Sequence, residues 1–220
     1  GPDYQFETVF GLAAAPQPER AHYHGDLILR SDGDPTLGGP FLTQPRNPVE
    51  IFDRWAQMLR DSGVVYAHGD LVLDASAFGR DQNAYPDVWD PRHRNYAYAP
   101  VPSALALNEN LLRVTVRPSS REGAAGIVSL FPTSVGIVVE NATRSGSGGG
   151  NGVSAQFDAD QATLRLTGRV GRRSEQEVAL APLPAPLQYV GAAMADALAR
   201  AGVRLTGRVR IQLERAPEDS

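Results

Sequence analysis

"LRDSGVVYAHGDLVL" (residues 59–73) and "LARAGVRLTGRVRI" (198–211) carry the same features in the same order: a helix end, Gly-Val, a short connection, a second glycine and an alternating strand. A glycine just past the last helical residue takes the left-handed backbone that closes a helix. Alternation of apolar and polar residues is the period of a half-buried strand. The simplest physical account is two helix–strand units packed on one sheet, with Gly63 and Gly202 as the helix-closing residues. More than a hundred residues separate the two units, so the repeat predicts one domain interrupted in sequence by another.

The helix before the first copy has its own signals. Asn47 is placed to cap it, Pro48 suits the first turn, Glu50 completes a capping-box-like pair, and Phe52, Trp55 and Leu59 share one face. Val190, Met194 and Leu198 line the second helix at four-residue spacing. Upstream, "YQFETVF" (4–10) and "GDLILR" (25–30) read as strands. The stretch "HGDLILRSDGDPTL" (24–37) brings His24, Asp26, Asp32 and Asp34 together, as metal ligands or catalytic acids would be. His-Gly-Asp recurs at 68–70, again at a strand start, and that repetition favours turn chemistry over a single metal site. Asp32-Gly33-Asp34-Pro35 has the composition of a tight turn, and its spacing fails an EF-hand-like calcium loop.

The texture changes between the repeats. "RDQNAYPDVWDPRHRNYAYAPVP" (80–102) has no regular period; long loops holding Tyr85, Trp89, Tyr96 and Tyr98 among Asp87, Asp90, Arg92 and Arg94 form binding surfaces, or else their aromatics cover a sheet edge. Short strands follow at 111–116, 126–131, 135–141, 153–157 and 162–170, and the glycines of "SGSGGGNG" (145–152) predict a flexible connection. The fold class read from this pattern is α+β and β-rich. A sheet-and-helix domain (1–102 plus 181–220) is interrupted by a nested, mostly β domain (103–180), giving a layered sandwich.

The composition excludes several chemistries. The 220 residues carry a formal net charge of −4, which gives no field for nucleic acid. No apolar run approaches a bilayer span. There is no cysteine, and all 21 basic residues are arginine, so thiol catalysis, Schiff bases and serine–lysine pairs are absent from this stretch. The four histidines, His22, His24, His68 and His93, show no zinc-binding spacing. Neither metal nor cofactor is expected.

Four motifs occur in order: "LRSDGDPTL" (29–37), "GDLVLDASAF" (69–78), "YAPVPSALALNEN" followed by "LLRVTVRP" (98–118), and "LTGRVGRRSEQEVALAPLPAPLQYVGAAMADALARAGVRLTGRV" (166–209). Together they resemble the class C low-molecular-mass penicillin-binding proteins, the D-alanyl-D-alanine carboxypeptidase/endopeptidase family of bacterial peptidoglycan. The resemblance covers nearly the whole chain. It implies a serine-type catalytic domain split by a large insertion, with Ser-x-x-Lys before it and Ser-x-Asn and Lys-Thr-Gly after it. This lysine-free chain then corresponds to the inserted domains II and III, inactive alone, in a periplasmic or extracytoplasmic bacterial protein.

The resemblance also implies partners and a site. Peptidoglycan stem peptides would be met through the parent catalytic domain, and envelope proteins are further possible partners. In the family an aspartate and an aromatic residue of the insertion meet the free end of the stem's diamino acid. Tyr98, before Ala99-Pro100, matches the aromatic position; Asp90, after Trp89, matches the acid, with Asp87 as its substitute. Two other readings stay open: a standalone cell-wall-binding pseudoenzyme, discriminated by the flanking gene, and an envelope-protein scaffold, favoured by an exposed apolar patch on the β domain.

Overall fold

The computed structural model describes residues 3, 5–15, 21–39, 47–79, 85–131, 136–147, 152–172 and 176–215. The fold is α+β and strand-rich, and the chain forms two compact units. One comprises Gly1–Ala84, Pro102–Glu109 and Ala185–Ser220; the other comprises Tyr85–Val101 and Asn110–Pro184.

In the first unit, β1 (Thr8–Leu12), β3 (Leu27–Ser31), β5 (Leu71–Asp74) and β13 (Val209–Gln212) form one sheet in that order. β1 pairs antiparallel with β3; β3, β5 and β13 run parallel. Three two-residue strands, β2 (His22–Tyr23), β4 (Tyr66–Ala67) and β12 (Arg204–Leu205), form a second small parallel sheet. The helix–strand repeat thus ends on one sheet, and a third copy of its strand portion lies at residues 22–31. Parallel register superimposes the turns between short and long strands, so Gly25, Gly69 and Gly207 stack. A methyl group on Gly69 would overlap the Gly25 carbonyl, and one on Gly207 would overlap that of Gly69. The aspartates complete the ladder. Asp26 Oδ1 accepts the Asp70 N–H at 2.8 Å, Asp70 Oδ1 accepts the Arg208 N–H at 3.0 Å, and Arg210 reaches both carboxylates at 3.3 and 3.5 Å.

Helices α1 (Glu50–Asp61) and α2 (Pro186–Arg200) pack on each other and are bridged by Arg200 and Asp53 at 2.6 Å. Phe52, Ala56 and Leu59 of α1 are buried, as are Leu187, Val190, Met194 and Leu198 of α2. Trp55 stacks on Phe10 of β1, with ring centroids 6.1 Å apart. Gly63 and Gly202 adopt φ of 97° and 78° and donate their N–H groups back into the last turns. The start of α1 differs from expectation. The residue before the helix is Val49, and no side chain caps it. Pro48 and Val49 form a turn that holds Asn47 away from the cap position, and Asn47 contributes only its main-chain carbonyl, to Glu50 N–H at 3.1 Å. β1 likewise starts at Thr8; residues 5–7 are irregular, and Tyr4 lies outside the described residues.

The second unit holds two three-stranded sheets. In one, β8 (Val138–Gly146) and β9 (Gly152–Asp158) flank β10 (Thr163–Gly171), with β8 parallel to β10. In the other, β11 (Gln176–Pro182) and β7 (Ile127–Phe131) flank β6 (Leu111–Arg117). Leu112, Val114 and Val116 of β6, with Phe157, Leu164, Leu166 and Val170 of the other sheet, make the core. The glycine-rich 145–152 stretch is more ordered at its ends than its composition predicts. Ser145 and Gly146 continue β8, Gly152 begins β9, and residues 148–151 lie outside the described residues. Burial of Ser145, whose Oγ accepts the Ser119 N–H at 2.8 Å, supplies the ordering. Residues 85–101 group with this second unit and 102–109 with the first.

Candidate functional site

The aromatic and charged loop at 85–101 is built by its own turn chemistry. Asp90 precedes Pro91 and a 3-10 helical turn, Pro91–Asn95, and its carboxylate accepts the Arg92 N–H at 2.9 Å. An aspartate before a proline at the first helical position is a helix-start signature, because the missing proline N–H would have no partner there anyway. The Arg92 guanidinium folds back on the same carboxylate, with contacts of 3.0, 3.1 and 2.5 Å. These hydrogen bonds, side chain first and main chain second, hold the Asp90 carboxyl well below the usual carboxylate range.

The aromatic residues lie outward. Tyr98 is 68% exposed and stacks on Tyr96 with centroids 5.5 Å apart, while His93 meets Tyr98 edge-on at 5.4 Å. Tyr85 and Trp89 form a T-shaped pair at 5.5 Å, and the Tyr85 hydroxyl donates to the Asp90 carbonyl at 3.4 Å. Burial, followed by the neighbouring Tyr98 and Asp90, pushes the Tyr85 hydroxyl up. Asp87 is exposed and has no ion pair among the described residues. The loop therefore offers an aromatic face, one acid already matched by an arginine, and one free acid.

The loop's far end is anchored to the turn after β9. Asn95 Oδ1 accepts the Ala159 N–H at 3.0 Å, and Arg94 pairs with Asp160. A cleft of about 420 Å³ opens beside this anchor, between Asn95–Ala97 and strands β9, β10 and β11. Its lining was not legible in the sequence, because residues near 96, 156, 165 and 180 share no motif. The only local signal was the Asp-Pro-Arg helix start that sets the loop's end.

The other residues singled out in the sequence belong to the scaffold. Asp32 accepts the Glu7 N–H at 2.9 Å; Asp34 accepts both the N–H and the hydroxyl of Thr36, at 2.8 and 2.6 Å, closing the turn over Pro35. His22, His24 and His68 lie together on the short parallel sheet, with His22 Nδ1 2.8 Å from His68 Nε2 and the His24 ring stacked on His68 at 4.6 Å. Among the described residues no group of three or more histidines and carboxylates is arranged to hold a metal ion, and no helix is long and apolar enough to cross a membrane.

The α+β fold matches that of a solved penicillin-binding protein. Penicillin binding protein 4 from Haemophilus influenzae superimposes with a TM-score of 0.67 at 19% identity, over 98% of this chain and 45% of that one. The same protein complexed with a novel beta-lactam gives 0.57 at 18%, over 99% and 42%. The chain thus spans less than half the length of these structures. The model of the D-Ala-D-Ala carboxypeptidase 3 (S13) family matches residues 1–220, and the chain belongs to that family.

Proposed function

We propose that these residues are the non-catalytic inserted region of a serine-type D-Ala-D-Ala carboxypeptidase/endopeptidase, shaping one wall of the cleft that receives peptidoglycan stem peptides outside the cytoplasm. The observation that carries this reading is the family match along a chain with no lysine. The serine of such an enzyme is activated by a lysine base, and none of these residues can supply one. The region's contribution is then recognition. In this reading domain II corresponds to 1–102 plus 181–220 and domain III to 103–180, with 85–101 at their sequence junction.

The aromatic loop supports a specific role. An ammonium group on the stem's diamino acid is attracted to an aromatic face and to a carboxylate beside it. Tyr98 presents the face. Asp90 is the acid that the resemblance assigns, and to meet an ammonium it must share its oxygens with Arg92; Asp87 is the acid with no such competitor. The test uses the full-length enzyme on stem peptides with free and acetylated side-chain amines. Tyr98→Ala and Asp90→Ala are each expected to lower the preference for the free amine several-fold through KM. If both keep the wild-type preference, the site assignment fails; if only Asp87→Ala lowers it, the acid is Asp87.

A further inference from the structure

The cleft beside Asn95 has a composition that fits one class of ligand. Its floor is apolar and buried: Phe157 is 8% exposed, Leu164 is fully buried and Ala181 is nearly so. Its rim is polar, with one ion pair and one carboxylate that has no ion pair among the described residues. Arg165 is paired with Glu140 at 2.7 Å, and Asp158 is spent on the N–H groups of Asp160 and Gln161, both at 3.1 Å. Two planar carboxamides remain, on Asn95 and Gln156. The Asn95 oxygen holds Ala159, and neither the Asn95 nitrogen nor the Gln156 side chain has a hydrogen-bond partner among the described residues. Tyr96, more than half exposed, forms one side, backed by the parallel ring of Tyr98.

The one rim charge without an ion pair among the described residues is the negative Asp158, which argues against phosphates, and its bonds to two main-chain N–H groups hold it in its own turn and lower what it offers an ammonium group. A purely apolar ligand would leave the carboxamides unpaired. A sugar ring offers what this lining lacks: an apolar C–H face for Tyr96, and hydroxyl or acetamido groups for Asn95 and Gln156, with the acetamido methyl against the exposed edge of Phe157. We infer that this cleft is a saccharide site for the N-acetylated amino sugars of a glycan strand. The choice of glycan rests on the peptidoglycan reading above, and it adds a second contact, to sugar as well as to stem peptide. The anchoring of the loop by Asn95 and Arg94 holds the cleft open before any ligand arrives, which lowers the ordering cost of binding.

The probe is a β-1,4-linked N-acetylglucosamine tetramer, free of peptide, titrated into the isotope-labelled chain with its amide signals recorded. Saturable shifts are expected at Tyr96, Ala97, Gln156 and Leu180, and Tyr96→Ala and Gln156→Ala should each weaken the apparent affinity by about tenfold, the equivalent of about 1.4 kcal/mol. Both side chains point from the rim and make no internal hydrogen bond, so a variant that retains its remaining amide spectrum is folded. Absence of saturable shifts, or shifts that neither variant weakens, overturns the inference. So does saturation of these residues by a short peptide but not by the tetramer. Failure here with the free-amine preference intact in the full-length enzyme removes the saccharide site and leaves the stem-peptide reading standing.

Discussion

His68 lies between two other imidazoles: His24 is stacked on its ring, His22 is hydrogen-bonded to its Nε2, Tyr66 meets it from two residues earlier in the same segment, and Thr206 faces it from the neighbouring one. Desolvation lowers its pKa first, and the electrostatic effect of His24 and then of His22 lowers it further. A depressed pKa in the folded chain means that folding favours the neutral ring. Stability from this group is therefore complete above the ordinary histidine value of about 6.5 and is lost as pH falls through that value toward the folded one. Chemical denaturation of wild type at pH values a unit either side of 6.5 should show lower stability on the acid side, and His68→Gln should flatten the difference. Equal slopes in the two proteins would place the effect elsewhere. Sequence spacing gave no hint of this cluster, since His22 and His68 are brought together by register between two strands of two residues each. The roles of Asp26 and Asp70 were legible, because their repetition after glycine marked a turn that a metal site would not duplicate.

The glycine ladder is the feature of the first unit with the least room for change. Gly25, Gly69 and Gly207 sit at equivalent points of three superimposed turns, and parallel pairing brings each backbone against the next side-chain position. Gly69→Ala must displace the Gly25 carbonyl and the Asp26 carboxylate, so the substitution should cost about 2 kcal/mol or more. Gly63→Ala has open space around it and is strained only by its positive φ, so about 1 kcal/mol is expected. Denaturant midpoints of the two variants against wild type measure the contrast, and a smaller loss for Gly69→Ala would contradict the stacked geometry. Element by element, the sequence was most readable where one face meets a core. Phe52, Leu59, Val190, Met194 and Leu198 revealed both helices. It was least readable where pairing is long-range: the parallel β8–β10 pair and the strand β11 both depend on contacts between distant residues. The helix cap at Asn47 failed for a local reason, the intervening Pro48-Val49 turn.

For the chain as a unit, the proposed function turns on a covalent step that would fall to groups outside these residues. In the proposed serine-type enzyme a penicillin would acylate an activated serine as its strained lactam opens, and the activation requires a base that takes the hydroxyl proton as the acyl bond forms. The chain contains many serines, but no lysine stands near any of them because none is present, and no cysteine offers a substitute nucleophile. Ser31, Ser103 and Ser145 are buried; Ser103 donates its hydroxyl proton to the Leu105 carbonyl, and Ser145 is occupied by the Ser119 N–H. Among the described residues no serine hydroxyl is hydrogen-bonded to a histidine or carboxylate side chain. The purified 220-residue chain, incubated with a labelled penicillin and examined by intact-mass spectrometry, should therefore show no stoichiometric adduct. The full-length protein under the same conditions should gain the mass of one penicilloyl group on a serine outside these residues. An adduct on the isolated chain would mean that the inserted region carries its own nucleophile, and the division of labour between a recognising insertion and a separate catalytic domain would have to be abandoned.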